Sequence, residues 1–249
     1  MLFKTIIYSL YIISFLLGTS FDTIQAKSKQ KSKPKTIAQN SVQLPLATDQ
    51  AKKIIDEVYT GLSGFGLNSE ESTFISQNGG NATYGEILFE SLQTMLNDAK
   101  LTAKDTFYDL GSGVGKACMQ VALTTPAKAV GIELSKSRVS TALTAKKLLT
   151  EKHTIDLKDR LELVEKNILH AKFKPNSVIY ICSTCYSEEL LNHVIQEAKK
   201  IKNGARIFSL KQLPGCQPVK TYTLPMTWSS GSSVYYYELG KNQDKTRAS

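Results

Sequence analysis

A glycine-rich turn, Asp109-Leu110-Gly111-Ser112-Gly113-Val114-Gly115, follows a short apolar strand and precedes an apolar helix. Glycine permits the left-handed backbone of a tight turn, and it lets a ligand approach the main chain without a Cβ atom in the way. In parallel α/β sheets, ligands bind outside the carboxyl ends of the strands, where such turns lie. Residues 109–115 therefore predict a cofactor loop, with a purely structural glycine turn as the alternative.

Two common phosphate-binding motifs do not fit this turn. A dinucleotide fingerprint needs a third glycine where Lys116 stands. A P-loop needs a glycine at Leu110 and a serine or threonine at Ala117. The remaining pattern, Asp-x-Gly-x-Gly-x-Gly, suits S-adenosylmethionine, which has no phosphate. The acidic Asp109 also suits the ammonium and sulfonium charges of that cofactor.

Two later residues strengthen the prediction of this cofactor. Glu133 ends the next predicted strand, at the spacing where a carboxylate can accept both ribose hydroxyls. Asn167 follows the third predicted strand, where a side-chain amide can bond the adenine edge. The loop and these two polar residues together predict a binding site for a nucleoside with an amino-acid end.

Short apolar strands alternate with amphipathic helices beyond residue 100, which predicts a parallel sheet covered on both faces. The predicted strands are 106–110, 128–133, 161–164, 177–181, 205–210, 220–226 and 234–239, and the predicted helices of this part are 114–123, 135–150 and 188–201. The last two strands flank a turn at 228–231 and predict an antiparallel hairpin. Helical spacing also occurs at 47–61 and 84–99. The predicted fold is α/β, a Rossmann-like seven-stranded sheet of the class I methyltransferase type, with N-terminal helices.

The N-terminal residues differ in composition from the rest of the chain. Lys4 precedes an uncharged apolar run at 5–21, so residues 1–26 are expected to be a cleaved signal peptide or an uncleaved membrane anchor. The protein is thus expected to be secreted or membrane-associated. The lysines that follow the run would hold an anchored domain on the cytosolic side, where S-adenosylmethionine is made.

Residues 27–46 are expected to form a basic, flexible linker. Lys4 and the five lysines of the tract Lys27–Lys35 supply six positive charges to a chain whose net charge is +9. This tract would contact nucleic acid or an anionic membrane through non-specific charge, or it is simply a solvated linker. The catalytic domain is expected at 47–240, with a helical part to residue 100, and 241–249 as a disordered tail.

The cysteines predict neither a disulfide framework nor a metal site. Four cysteines are too few for a disulfide scaffold of this length. Cys182 and Cys185 form a C-x-x-C pair, but a zinc site would need a second pair of ligands. Packing at a strand end is the preferred interpretation of these two residues.

Several motifs resemble the non-SET histone-lysine methyltransferases called disruptor of telomeric silencing, in particular their bacterial and protist branch. The motifs are Tyr84-Gly85-Glu86, the run 109–123, the run 129–134, Ser183-Thr184-Cys185-Tyr186 and Met226-Thr227-Trp228. The resemblance covers roughly residues 47–239. The later motifs are fairly specific to this family, whereas all class I methyltransferases share the cofactor loop.

This resemblance implies roles for individual residues. Cofactor contacts are implied for Tyr84, Gly85, Asp109, Gly111, Gly113, Lys116 and Glu133, with Asn167 standing where the family usually carries aspartate. Catalytic or acceptor-channel roles are implied for Tyr84, Glu86, Cys182 and Tyr186. Cys182 occupies the place of a family asparagine, and a thiol is a weaker hydrogen-bonding group than an amide. Tyr84, Tyr186 and Trp228 would form an aromatic sleeve around a lysine stem.

The predicted function is S-adenosylmethionine-dependent methylation of lysine in a basic, histone-like protein, by a monomeric enzyme. Transfer from a sulfonium to an amine is an in-line displacement that needs positioning, desolvation and a neutral amine. A dry aromatic channel favours the neutral amine. Three alternatives stay open: a membrane-anchored lysine methyltransferase of a membrane-protein subunit, a non-catalytic module with the cofactor fold, and a small-molecule methyltransferase.

Overall fold

A computed structural model describes residues 42–202 and 204–240. The predicted signal peptide or anchor, most of the predicted linker and the tail at 241–249 lie outside these ranges. Within them, all strands belong to one seven-stranded sheet, in the order β3-β2-β1-β4-β5-β7-β6. The strands are β1 (Thr106–Leu110), β2 (Lys128–Glu133), β3 (Leu161–Glu165), β4 (Ser177–Ile181), β5 (Ala205–Ser209), β6 (Lys220–Met226) and β7 (Ser229–Leu239).

The sheet is parallel through its first five strands and antiparallel at one edge. β1 pairs with β2 and β4, β2 with β3, and β4 with β5, all in parallel. β7 runs antiparallel to β5, and β6 returns along β7 as the edge strand. The fold class predicted from the sequence is therefore confirmed, including the terminal hairpin.

Helices cover both faces of the sheet. They are α1 (Thr48–Val58), α2 (Ser69–Gln77), α3 (Phe89–Ala99), α4 (Lys116–Thr124), α5 (Lys136–His153) and α6 (Glu188–Lys199). Side chains of neighbouring strand residues point to opposite faces. Phe107 thus packs in a core with α1, α3 and α4, while Tyr108 packs in a second core with α6. Because both faces are covered, the central strands are almost wholly apolar, which is why their sequence predicts them well.

Several predicted boundaries differ from the structure, and contacts or backbone geometry explain three of these differences. The helix expected over 84–99 begins only at Phe89, because Ile87 forms a β-bridge with Met226 and the Glu86 carbonyl accepts a hydrogen bond from Thr227. The hairpin turn lies at residues 227–228 and not at 228–231, because β7 already begins at Ser229. Helix α4 begins at Lys116 and not at residue 114, since Gly115 is its N-cap in a left-handed conformation.

Helix α2 is absent from the sequence-based prediction. It is short and polar, and Ile75 is its buried residue. Its start is fixed by Asn68, whose side-chain oxygen accepts a 2.7 Å hydrogen bond from the backbone N–H of Glu71. Within the described ranges, no helix combines the length and apolarity that crossing a membrane requires.

Candidate cofactor and acceptor site

A cavity of about 500 Å³ opens at the carboxyl ends of the parallel strands. Its walls include Gly111 after β1, Glu133 at the end of β2, Asn167 after β3, and Cys182 and Tyr186 after β4. The segment between α2 and α3 covers it, through residues 78–81 and 83–85, and Trp228 of the hairpin turn completes the lining. The sheet thus brings most of the predicted site residues to one place.

The glycine loop is folded back over the end of β2. The backbone N–H groups of Gly111 and Ser112 both donate to the Ile132 carbonyl, at 2.8 and 3.1 Å. Gly111 and Gly113 have φ values of 85° and 54°, which side chains rarely tolerate. A Cβ on Gly113 would lie 2.6 Å from the Tyr84 ring. Backbone conformation and close aromatic packing both require glycine in this loop.

Glu133 is held rigidly against the loop. One carboxylate oxygen accepts a 2.8 Å hydrogen bond from the Gly113 N–H, and the other accepts from Leu134 and Ser135 at 2.9 and 2.8 Å. The residue is 6% exposed and lines the cavity. A carboxylate has about four acceptor positions, so at least one remains for a ligand. The remaining position can accept one ribose hydroxyl, and the predicted contact with both hydroxyls stays a prediction.

Asp109 lies in the fourth position of β1, directly before the loop. Burial, reinforced by the negative charge of Glu133, raises the pKa of its carboxyl group to about 8. The protonated form therefore predominates at neutral pH. A cation placed beside Asp109 would compensate the buried charge and favour ionisation.

Glu86 is fixed by two donors. The Tyr84 hydroxyl donates to one carboxylate oxygen at 2.5 Å, and Lys116 pairs with the other at 2.7 Å. The Glu86 N–H also donates to the Thr227 hydroxyl at 2.9 Å. Glu86 and Lys116 together tie the covering segment to the start of α4 and to the hairpin turn. The geometry thus gives Glu86 an anchoring role beside its predicted catalytic one.

Arg138 is an anchor that sequence reasoning missed. It is 5% exposed, and its guanidinium donates to the Gly64 and Ala82 carbonyls at 3.0 and 2.7 Å. The same group lies 4.7 Å from the centre of the Tyr84 ring. Glu71 adds a second tie, since it accepts hydrogen bonds from the first residues around α5. The start of α5 is therefore attached to the covering segment through Ala82 and Tyr84, and to α2 through Glu71.

Asn167 stands in the cavity wall, but its amide is already engaged by the protein. Its oxygen accepts from the Leu169 N–H at 2.9 Å, and its nitrogen donates to the Asn78 carbonyl at 3.0 Å. The second hydrogen of the nitrogen and the second lone pair of the oxygen are the groups left for a ligand. The predicted adenine contact stays a prediction.

The part of the cavity wall that follows β4 and the hairpin turn is largely aromatic, and the exposed Glu189 is the charged residue beside Tyr186 in the same lining. Tyr84, Tyr186 and Trp228 all line it, as the predicted sleeve requires. The Tyr186 hydroxyl donates to the Leu110 carbonyl at 3.0 Å, directly above Gly111. Burial, assisted by Asp109, raises the pKa of the Cys182 thiol to about 12. Cys182 is thus a neutral thiol at physiological pH.

The cysteines and acidic residues form no metal centre in the part of the chain that the structure describes. No group of three or more His, Cys, Asp or Glu side chains there could hold a metal ion. All four cysteines are free thiols.

The sheet order and the cavity at the glycine loop define a class I methyltransferase fold. A family model described as histone methylation protein DOT1 matches residues 75–223. The chain belongs to this family. The family inferred from the sequence is confirmed, and so, at the level of the family, is the predicted class of enzyme, a methyltransferase that uses S-adenosylmethionine.

Relatives of known identity include two histone-lysine N-methyltransferases specific for lysine 79 of histone H3. The protein from Caenorhabditis elegans is 30% identical over 158 residues, covering 59% of this chain and 16% of its own length. The protein from Chaetomium globosum is 27% identical over 143 residues, covering 54% of this chain and 28% of its own length. The chain thus spans well under a third of these relatives.

Similar solved structures include bacterial and archaeal methyltransferases. An RNA methyltransferase from Salinibacter ruber, in complex with S-adenosyl-L-homocysteine, has 23% identity and a TM-score of 0.48, covering 61% of this chain and 91% of its own. A putative RNA methyltransferase from Pyrococcus horikoshii has 13% identity and the same TM-score of 0.48, covering 78% of this chain and 98% of its own.

Proposed function

We propose that this protein transfers the methyl group of S-adenosylmethionine to lysine side chains of a basic, histone-like protein. The observation that carries the proposal is the union, in one cavity, of Gly111 and Glu133 from the predicted cofactor edge with the aromatic residues Tyr84, Tyr186 and Trp228. Family membership supports the reaction, and the histone H3 specificity of the curated relatives supports the substrate class.

The residues present fit S-adenosylmethionine. Gly111 lines the cavity without a side chain, and a Cβ there would meet the Tyr186 hydroxyl. Glu133 lines the cavity and keeps acceptor capacity for a ribose hydroxyl, and Asp109 is a buried acid whose ionised form a nearby ammonium would stabilise. When bound, the cofactor supplies an electrophilic methyl group.

The acceptor wall acts by excluding water and charge. Tyr84 and Tyr186 are largely buried, and burial raises the pKa of each phenol, so both stay neutral. The neutral Cys182 thiol adds no charge to the same wall. A low-dielectric channel favours the neutral form of an entering lysine, which is the nucleophilic form. Positioning and desolvation by these side chains are the protein's main contribution to the displacement.

The negative charge of Glu189 supports a basic substrate. This residue lies in the first turn of α6, is exposed, and lines the cavity together with Tyr186 and Thr184. A carboxylate at the water-exposed part of the site attracts a cationic side chain before it enters the channel.

The test is methyl transfer by the purified full-length chain to recombinant histone octamers and to nucleosomes, with isotopically labelled cofactor and mass spectrometry of the products. Methyl-lysine in a histone supports the proposal. Cofactor binding without label in any polypeptide would contradict it and would favour the non-catalytic module or a small-molecule acceptor.

Several finer assignments belong to the same proposal. The first is placement in the bacterial and protist branch of the family, which rests on sequence motifs. The others are a monomeric state, an N-terminal signal peptide or anchor, and contacts of the Lys27–Lys35 tract, which also rest on the sequence. The mature N-terminus, determined by mass spectrometry together with cell fractionation, distinguishes a cleaved signal from an anchor. A mature protein that is found in the membrane fraction and still contains residues 5–21 would support the anchor.

A further inference from the structure

A second, smaller chamber adjoins the main cavity. Its volume is about 40 Å³, and it shares Tyr84, Gly85, Gly111 and Cys182 with the larger space. Asp109, Tyr180 and Lys116 are part of its wall but do not line the main cavity. The chamber therefore extends the cofactor site towards the buried carboxyl end of β1.

The Tyr180 hydroxyl is an unpaired polar group in this wall. Tyr180 is 2% exposed, and its hydroxyl makes no hydrogen bond with any described residue. Burial raises the pKa of the phenol, and the neighbouring Cys182 thiol adds to the shift. A thiol is a weak hydrogen-bonding group, so Cys182 does not replace an oxygen or nitrogen partner for this hydroxyl. Buried hydroxyls in folded proteins nearly always have a partner, so an orphan in a cavity wall indicates a ligand.

Tyr180 is placed beside the predicted ammonium site. It is aligned with Asp109 in the register of the neighbouring strands β1 and β4. Lys116, which also lines the chamber, is paired with Glu86. The groups left for an incoming ligand therefore include the Asp109 carboxyl and the Tyr180 hydroxyl. An alkylammonium has three N–H donors, which need several acceptors in a site from which water is excluded.

We propose that the Tyr180 hydroxyl binds the amino-acid end of S-adenosylmethionine, by accepting a hydrogen bond from the α-ammonium group that also pairs with Asp109. The proposal rests on the proposed function and adds a cofactor-positioning residue to it. Burial keeps the phenol neutral, so its own proton stays available for the cofactor's carboxylate. Tyr180 thereby helps to fix the amino-acid end of the cofactor and, through it, the direction of the methyl group.

The experiment is isothermal titration calorimetry of the full chain and of Tyr180→Phe with two ligands. S-adenosylhomocysteine carries the amino-acid end, whereas 5′-methylthioadenosine lacks it. We expect the dissociation constant of the first ligand to rise about tenfold in Tyr180→Phe, and that of the second to stay unchanged. Tyr108→Phe is the matched control, because this buried tyrosine of β1 bonds Lys174 and does not line the chamber.

A thermal melt separates ligand binding from folding. Tyr180→Phe removes an unpaired buried hydroxyl, so the ligand-free variant should melt no lower than the wild type, while the shift caused by S-adenosylhomocysteine should shrink. Equal weakening of both ligands, or an unchanged dissociation constant for S-adenosylhomocysteine, would overturn the role of Tyr180 alone. A wild-type chain that binds neither ligand would overturn the proposed cofactor as well.

Discussion

The carboxylate of Glu133 accepts a 2.8 Å hydrogen bond from the backbone N–H of Gly113, twenty residues earlier in the chain. The acid predicted to bind ribose is therefore also bonded to the loop that is predicted to bind the rest of the cofactor. Its other oxygen accepts from Leu134 and Ser135, where β2 leads into α5. We therefore expect cofactor binding and local stability to be coupled at this side chain.

Glu133→Gln should weaken both properties. A glutamine has only one acceptor oxygen, so at least one of the three backbone donors loses its partner. We expect a loss of about 1–3 kcal/mol in the free energy of unfolding and at least about tenfold weaker S-adenosylmethionine binding. Chemical denaturation and calorimetry measure the two effects. Glu165→Gln, the exposed residue aligned with Glu133 on β3, should change neither.

Cofactor affinity should depend on pH through Asp109. The pKa of this carboxyl is about 8 in the ligand-free protein, and a bound ammonium should lower it. Binding then releases a proton below pH 8, so affinity should increase as the pH rises from 6 to 8. Calorimetry in buffers of different ionisation enthalpy measures the released proton, and Asp109→Asn should abolish it.

Stability of the ligand-free protein should follow the opposite trend. The pKa of Asp109 is higher in the folded state than the value near 4 of an unfolded aspartate. The folded state then binds more protons between these two pKa values, so this group's contribution to stability falls as the pH rises through that range. Asp109→Asn should reduce the fall, measured by urea denaturation at several pH values.

Gly113→Ala should destabilise the protein and weaken cofactor binding, for two separable reasons. The variant places a Cβ 2.6 Å from the Tyr84 ring and also imposes a side chain on a φ of 54°. Gly61 provides the control, since it has a φ of 77° with no atom near the added Cβ. Gly61→Ala should cost about 1–2 kcal/mol of stability from backbone strain and leave cofactor binding intact. Gly113→Ala should cost more and displace Tyr84, measured by denaturation and calorimetry.

Arg138→Lys should loosen the covering segment while it keeps the charge. Lysine cannot reproduce the forked contacts with the Gly64 and Ala82 carbonyls together with the guanidinium contact on the Tyr84 ring. We expect faster amide hydrogen exchange across 64–84 than in the wild type. Exchange in the central strand β1 should stay unchanged, and equal acceleration in both regions would indicate global destabilisation instead.

The sheet and the cofactor edge were predictable because their patterns are local. Continuous apolar runs mark strands that are buried on both faces, and the glycine loop and Glu133 stand at a spacing set by one strand–helix–strand unit. The covering segment was not predictable to the same extent. Ile87 continues the helical spacing of 84–99, yet it forms a β-bridge with Met226, which lies 139 positions later in the chain.

The anchors of the covering segment have no local signature either. Arg138 bonds backbone carbonyls, which every residue carries, so nothing in the sequence marks its partners. The Lys116–Glu86 pair joins residues that are thirty positions apart. Tyr180 looked like one apolar strand residue among others, and only the structure shows that its hydroxyl lacks a partner in a chamber wall.

The most direct test of the cofactor assignment is calorimetry of S-adenosylmethionine with the wild-type chain and with Asp109→Ala. We expect the wild type to bind and the variant to bind at least tenfold more weakly, equivalent to about 1.4 kcal/mol. Wild-type affinity in Asp109→Ala would contradict the assignment of residues 109–115 as the cofactor loop.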